Sequence, residues 1–123
     1  MSFNWSDYLA LAVQLHTVPL ISQEASDRTA ISRAYYAAFN LTADRLGTKG
    51  EWRRAHGPQD HKELADLVKR YGRTTKGRVG HTLERLYYNR CKADYDGDIE
   101  QPSKLAEASI LMAKEITASL PSI

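Results

Sequence analysis

The residue in this sequence whose type and position most suggest chemistry is Arg90. A helix over residues 75–95 turns about 100° per residue, which gathers its apolar residues into one narrow sector, and Arg90 falls inside that sector. The apolar members of the sector are Val79, Leu83, Leu86 and Ala93. Burying an unpaired guanidinium is very costly, so Arg90 requires a carboxylate partner, a water-filled cleft or a subunit interface. Asp94, one helical turn further on, is the nearest carboxylate in the sequence.

A second line of polar side chains runs along an earlier long helix at three- and four-residue steps and could face Arg90. Its members are Arg33, Tyr36, Asn40 and Asp44. One interpretation is a structural salt-bridge network, for example Arg33 with Asp94, that fixes the register of two helices. The other is a cleft where Arg90, Asn89 and groups of this line bind a phosphate or a phosphodiester. Arginine suits that role because its planar fork donates two parallel hydrogen bonds and stays charged.

Metal-independent cleavage of RNA would need a group that deprotonates the 2′-hydroxyl and a group that stabilises the phosphorane. Arg90 can supply only the second of these. Asp94 or Asp96 could act as the base if its pKa were raised, and His56 or His81 could arrive from elsewhere in the fold or from a partner subunit.

Among the four histidines, His56 is the strongest candidate base because it lies in a basic loop beside Arg53 and Arg54. A solvated, non-catalytic role also fits a single loop histidine. His81 lies nine residues before Arg90 on the same helix, too far along the axis to serve the same phosphate within one chain. The remaining histidines have no distinguishing neighbours in the sequence; they are His16 and His61.

Positive charge is concentrated in the middle of the chain. The formal net charge of all 123 residues is only +2, whereas residues 49–78 hold nine Lys or Arg against four Asp or Glu. Basic residues gain affinity for nucleic acid by releasing counterions from phosphates, so this asymmetry points weakly to a polyanionic partner. A solvated surface loop explains it equally well.

The composition predicts one soluble globular domain, residues 1–123, in the cytoplasm. The hydrophobic share of 42% and the charged share of 26% are ordinary for such a domain. No apolar run is long enough to span a membrane, and the first residues lack the pattern of a signal peptide. The single cysteine, Cys91, excludes an internal disulfide, and a packing role suits it better than a nucleophilic one. We expect neither a metal nor a cofactor.

Apolar periodicity predicts five helices and no strand, and packing them as an up-and-down bundle would bury every apolar face. The predicted helices cover residues 5–17, 26–46, 60–71, 75–95 and 102–120. Ser26 or Asp27 is the predicted N-cap of the second helix, and Gly47 is its predicted end. The segment 47–58 has no apolar period and is predicted to form a basic surface loop.

The segments SRAYYAAF, at Ser32–Phe39, and LYYNRCKADYD, at Leu86–Asp96, lie in the second and fourth predicted helices. Together they resemble the two signature helices of small prokaryotic proteins of the HEPN family, the higher-eukaryote and prokaryote nucleotide-binding domains. The resemblance covers nearly the whole chain. It implies an up-and-down helical domain, commonly a homodimer whose signature helices meet across a two-fold axis.

The same resemblance sets an expectation for the residues that follow Arg90. HEPN ribonucleases place a histidine shortly after this arginine, but positions 95 to 97 of this chain are Tyr, Asp and Gly. In the toxin branch of the family a tyrosine follows that histidine, and Tyr95 is out of register with it. The arginine of the motif is therefore present and the histidine is missing.

Three functions remain open on these observations. The first is a non-catalytic HEPN module that binds nucleotides, RNA or a nucleotidyltransferase partner. Its binding residues would be Arg33, Tyr36, Asn40, Asn89, Arg90, Tyr95, Arg53 and Arg54. The second is a divergent ribonuclease, the toxin of a toxin–antitoxin pair, that acts through Arg90 with Asp94 or His56. The third is a purely structural dimerisation domain in which the same charges form a buried network.

Overall fold

A computed structural model describes residues 3–123, and the regular elements in that range are all helical. The helices are α1 (Ser6–Thr17), α2 (Gln23–Thr48), α3 (Gln59–Lys69), α4 (Thr75–Tyr95) and α5 (Pro102–Ser119), followed by a 3-10 turn at Leu120–Ser122. The predicted all-α, five-helix bundle is confirmed. None of these helices is both long enough and apolar enough to cross a membrane.

The central helix of the bundle is α2, which packs against α1, α4 and α5. Its inner surface is built largely from small side chains, so the neighbouring helices can approach closely. The buried alanines of this helix are Ala30, Ala34, Ala37, Ala38 and Ala43. The fully buried Tyr35 and Leu46 extend the same surface into the main core, where they meet residues of the other helices such as Leu64 and Leu83.

The helices α3 and α4 form a close antiparallel pair because glycine replaces larger residues at their contact. A Cβ atom on Gly80 would lie only 2.5 Å from the backbone nitrogen of Lys69, so no other residue fits there without a shift of the backbone. Glycine inside a helix costs about 1 kcal/mol relative to alanine, and the close contact of the two helices offsets that cost. Two turns further along the pair, His61 of α3 meets Tyr87 of α4.

The predicted start of α2 is wrong by one helical turn. The helix begins at Gln23, and its N-cap is Ser22, whose hydroxyl oxygen accepts a hydrogen bond from the backbone N–H of Ala25 at 3.0 Å. Ser26 and Asp27, the predicted caps, lie inside the helix and are buried. Both types of residue favour caps when exposed, but here their side chains bond to groups on other elements instead.

The predicted end of α2 is also displaced, since Gly47 remains helical and the chain turns at Gly50 with φ +71°. The backbone N–H of Glu51 then donates to the carbonyl oxygen of Leu46 at 2.9 Å, the closing bond of a glycine-dependent helix end. The following loop stays against the bundle, where Trp52 packs edge-on to Phe39 at 6.4 Å between ring centroids.

Candidate functional site

The guanidinium of Arg90 lies where the sequence predicts it, inside the bundle and with few partners. The residue is only 8% exposed. Its Nη1 atom donates one long hydrogen bond, 3.3 Å, to Oδ2 of Asp94, which confirms the predicted partner one turn away. The Nε atom is buried, and no group within residues 3–123 accepts a hydrogen bond from it. A guanidinium has five N–H donors, so most of its bonding capacity is not used by Asp94.

Aromatic rings occupy the rest of the space around this guanidinium. The Cζ atom of Arg90 lies 5.3 to 5.9 Å from four ring centroids, those of Tyr35, Tyr36, Tyr87 and Tyr95. Such contacts attract a cation without satisfying its N–H groups. Burial alone would lower the pKa of Arg90, but the interaction with Tyr36 and the hydrogen bond that Arg90 donates to Asp94 raise that pKa overall. Arg90 is therefore a charged group in an aromatic enclosure.

A histidine that the sequence did not single out, His61, lies beside this enclosure. Its Nδ1 atom is hydrogen-bonded to the hydroxyl of Tyr35, and its ring lies 5.5 Å from that of Tyr87. Burial and then the charge of Arg90 lower the pKa of His61, with Asp60 opposing them in part. Burial also raises the pKa of Tyr35 far above its usual range. At neutral pH the pair is therefore an uncharged imidazole and an uncharged phenol.

The inward position of His61 has a signal in the sequence, because it continues the apolar stripe of α3. His61 precedes Leu64 by three residues and Val68 by seven, and both of these residues are fully buried. The same periodicity that identifies Arg90 on α4 thus places His61 on the inner face of α3. The contacts of His61 with Tyr35 and Tyr87 cannot be read from the sequence, because they depend on how α2, α3 and α4 pack.

The predicted polar line on α2 does not face α4 as a unit. Arg33 turns toward α1, where its Cζ atom lies 4.7 Å from the ring centroid of Tyr8. Within residues 3–123, Arg33 forms no ion pair with Asp94; the carboxylate instead bonds to Arg90 and accepts from the hydroxyl of Ser32 at 3.5 Å. Of the line, only Tyr36 takes part in the enclosure of Arg90.

The next members of that line form a separate cluster with the basic loop. Nη1 of Arg54 donates to Oδ1 of Asn40 at 2.9 Å, and its Nη2 donates to Oδ1 of Asp44 at 3.0 Å. Arg53 and His56 line an open depression of about 680 Å³ beside this cluster. His56 has no contact with Arg90 within this chain, so its predicted role as the base would require a partner subunit.

Asn89 also lies outside the enclosure, although it precedes Arg90 in sequence. Its Nδ2 atom donates to the hydroxyl of Ser109 on α5 at 3.1 Å. One residue corresponds to about 100° around a helix, so neighbours in sequence face different elements. Of the predicted catalytic and binding residues, the structure therefore brings together Arg90, Asp94, Tyr95 and Tyr36. It places the others elsewhere: Asn89, Arg33, Asn40, Arg53, Arg54 and His56.

The end of α4 that carries Asp94 and Tyr95 is held in place by Arg28 of α2. Its guanidinium donates to three carbonyl oxygens, those of Ala93 at 3.1 Å, Asp96 at 2.6 Å and Gly97 at 3.2 Å. An arginine at a helix C-terminus satisfies free carbonyl groups and complements the negative end of the helix dipole. Arg28 is thus a positioning residue for the turn that follows Arg90.

The enclosure can bind an anion through Arg90 and can hold an uncharged imidazole near it. Within residues 3–123, no group of three or more His, Cys, Asp or Glu side chains is arranged to hold a metal ion. No model of a known protein family, no curated protein and no solved structure matches this chain.

Proposed function

We propose that this chain is a HEPN-like module that binds the phosphate of a nucleotide or of RNA at Arg90. The observation that carries the proposal is a buried guanidinium with an unpartnered Nε atom and a single long bond to Asp94. A phosphate oxygen pair accepts two parallel hydrogen bonds from such a fork. The bond to Asp94 is weak enough to be exchanged for them.

The position of Asp94 supports binding over a purely structural network. Its side chain is 30% exposed, whereas that of Arg90 is 9% exposed. When a phosphate displaces it, the carboxylate can turn toward water without becoming a buried unpaired charge. A network whose role is structural would be expected to give the buried Nε atom an acceptor, since most buried polar groups in proteins have one.

Binding of a short fluorescent single-stranded RNA, followed by anisotropy, tests this proposal. Arg90→Met is expected to weaken binding by about tenfold or more, and Arg90→Lys should restore it only in part because an ammonium lacks the planar fork. The control is Arg85→Met, which removes an exposed arginine of the same helix and should change affinity by less than about threefold. Equal affinity of Arg90→Met and the wild type would refute the proposal.

A ribonuclease is the second candidate function, and the position of His61 favours it. His61 and Arg90 both contact the rings of Tyr35 and Tyr87. A neutral imidazole can accept the proton of a 2′-hydroxyl while the guanidinium stabilises the phosphorane. It can do so only if Nδ1 donates its proton to the oxygen of Tyr35, because Nε2 then keeps a free electron pair.

An RNA-cleavage assay separates the two candidates. A ribonuclease should release products ending in a 2′,3′-cyclic phosphate, and both His61→Asn and Arg90→Met should abolish that release. A non-catalytic module should bind RNA and leave it intact under the same conditions. Binding without cleavage in the wild type would reject the second candidate and leave the first in place.

The HEPN resemblance adds further parts to the proposal. We infer a homodimer, and the exposed ring of Tyr95 at the end of α4, 77% exposed, supports a contact with a second copy. A nucleotidyltransferase is the protein partner that the resemblance predicts, and the cytoplasm is the predicted location. Light scattering of the purified chain tests the dimer, since a monomer mass at micromolar concentration would contradict it.

A further inference from the structure

A cavity of about 370 Å³ opens between α3 and α4, next to the enclosure of Arg90. Its lining consists of Pro58, His61, Lys62, Ala65, Glu84, Tyr87 and Tyr88. We propose that this cavity holds the base of the nucleotide or RNA residue whose phosphate Arg90 binds. This inference rests on the proposed function and names the chemical class of the ligand, a nucleoside phosphate rather than a phosphate group alone.

The walls of the cavity suit a flat heterocycle. Three of its lining side chains are rings, those of His61, Tyr87 and Tyr88. Tyr88 is 60% exposed and is therefore free to stack on an incoming ring. Stacking of a base on an aromatic side chain contributes about 1 to 3 kcal/mol, and a cavity of a few hundred Å³ is of the size that small ligands occupy.

The cavity and Arg90 are connected through two shared side chains. The ring of Tyr87 lines the cavity, and its centroid lies 5.3 Å from Cζ of Arg90. His61 lines the cavity as well, and its ring contacts those of Tyr35 and Tyr87, which Arg90 also contacts. The ring of Tyr87 thus lies between the base cavity and the guanidinium of Arg90. In a bound nucleotide, the ribose would cover the distance between the base in the cavity and the phosphate at Arg90.

The polar groups of the lining indicate which bases bind best. Glu84 is paired with Lys69 at 2.8 Å, and both side chains are partly exposed, so the pair contributes little and can be rearranged. A carboxylate accepts hydrogen bonds but donates none. Glu84 therefore favours a base that carries an exocyclic amino group, as adenine, cytosine and guanine do. Uracil fits less well because its N3–H lies between two carbonyl oxygens, which a carboxylate repels.

Titration calorimetry with four probes tests the inference: adenosine, ribose 5-phosphate, AMP and UMP. The wild type should bind AMP about tenfold more tightly than ribose 5-phosphate and more tightly than UMP. Tyr88→Ala should bring the AMP affinity close to that of ribose 5-phosphate, whose own affinity stays unchanged. Tyr71→Ala removes another exposed tyrosine, outside the cavity, and should leave both affinities as they are.

A second pair of variants fills a cavity instead of removing a tyrosine ring. Ala65→Leu occupies the cavity, whereas Thr82→Leu places the same side chain in a different cavity, between α4 and α5. Only Ala65→Leu should weaken AMP binding. Circular dichroism of each variant confirms that it is folded before it is compared.

The probes also distinguish failure of this inference from failure of the proposed function. Equal affinity of the wild type for AMP and ribose 5-phosphate would overturn the base cavity and leave the Arg90 site standing. Binding of adenosine with no gain from the phosphate of AMP would overturn the Arg90 site and leave the base cavity standing. Binding of none of the probes would overturn both.

Discussion

Two buried ionisable side chains in this bundle, Asp27 and Arg90, differ in how far their hydrogen bonds are satisfied. Asp27 is fully buried and accepts three bonds, from Nδ1 of His16 at 2.7 Å, Nε2 of Gln23 at 2.9 Å and Oγ of Ser103 at 2.6 Å. Arg90 is nearly as buried but has one bond of 3.3 Å and an unpartnered Nε atom.

The proposed function predicts such a difference between a structural group and a binding group. The bonds to Asp27 come from α1, α2 and α5, so its carboxyl group joins three helices. Both carboxylate oxygens of Asp27 already have hydrogen-bond partners within the protein, so a ligand is not needed to satisfy them. Arg90 retains donors that no described side chain uses, and a buried donor without an acceptor is costly until an acceptor arrives. Ligand binding at Arg90 would supply that acceptor.

The largest effect on stability is expected when Asp27 is removed. Asp27→Ala leaves three polar groups without their acceptor and should lower the free energy of unfolding by about 3 to 5 kcal/mol. Asp27→Asn keeps one acceptor oxygen and should cost less, so it stays measurable if the alanine variant does not fold. Urea denaturation followed by circular dichroism gives both values. If Asp27→Ala lowered the free energy of unfolding by less than about 1 kcal/mol, the distinction between Asp27 and Arg90 would be lost.

A smaller effect is expected at Arg28, which fixes the end of α4. Arg28→Lys cannot reproduce three bonds to carbonyl oxygens, so the free energy of unfolding should fall by about 1 to 3 kcal/mol. RNA affinity should fall as well, because the turn that carries Asp94 and Tyr95 loosens. The control is Glu24→Gln, which removes only the exposed ion pair of Arg28 and should cost less than about 1 kcal/mol. Unchanged RNA affinity in a destabilised Arg28→Lys variant would show that this turn does not shape the site.

The parts of the site that lie on one helix could be predicted from the sequence. Arg90 and Asp94 are four residues apart, and the geometry of any α-helix brings such residues together. The inward position of Arg90 follows from the apolar residues that share its sector. The helical content and the bounds of α4 also depend on residues close together in the sequence, and both predictions are confirmed.

The contacts between helices could not be predicted in this way, because spacing within one helix does not say which neighbour it meets. Asp27 was expected to be an N-cap, but α2 begins a turn earlier and carries it into the contact with α1 and α5. Tyr35 and His61 meet only because α3 packs beside α2 and α4. The basic neighbours of His56 favour it in the sequence, whereas the position of His61 against two rings that Arg90 also contacts depends on tertiary packing.

Removal of Arg90 itself should change stability little, in contrast to removal of Asp27. Arg90→Met loses the cation–π contacts but also the cost of burying an incompletely bonded guanidinium, so the two changes nearly cancel. Asp94 stays partly exposed and remains hydrated. We expect the free energy of unfolding to change by less than about 1 kcal/mol, measured in urea as for Asp27. A loss of about 3 kcal/mol or more would instead favour the structural network.

The smallest effect is a pH dependence that His61 adds to stability. Its pKa is lowered in the folded chain, first by burial and then by Arg90, so the unfolded chain binds the proton more readily. The contribution of His61 is therefore complete above its ordinary pKa of about 6.5 and is lost as the pH falls toward the lower value of the folded state. Urea midpoints at about pH 7.5 and pH 5.5 should differ less in His61→Gln than in the wild type. His81→Gln, which replaces an exposed histidine of α4, should keep the wild-type difference, and a His61→Gln variant with that same difference would show that the imidazole is not held neutral beside Arg90.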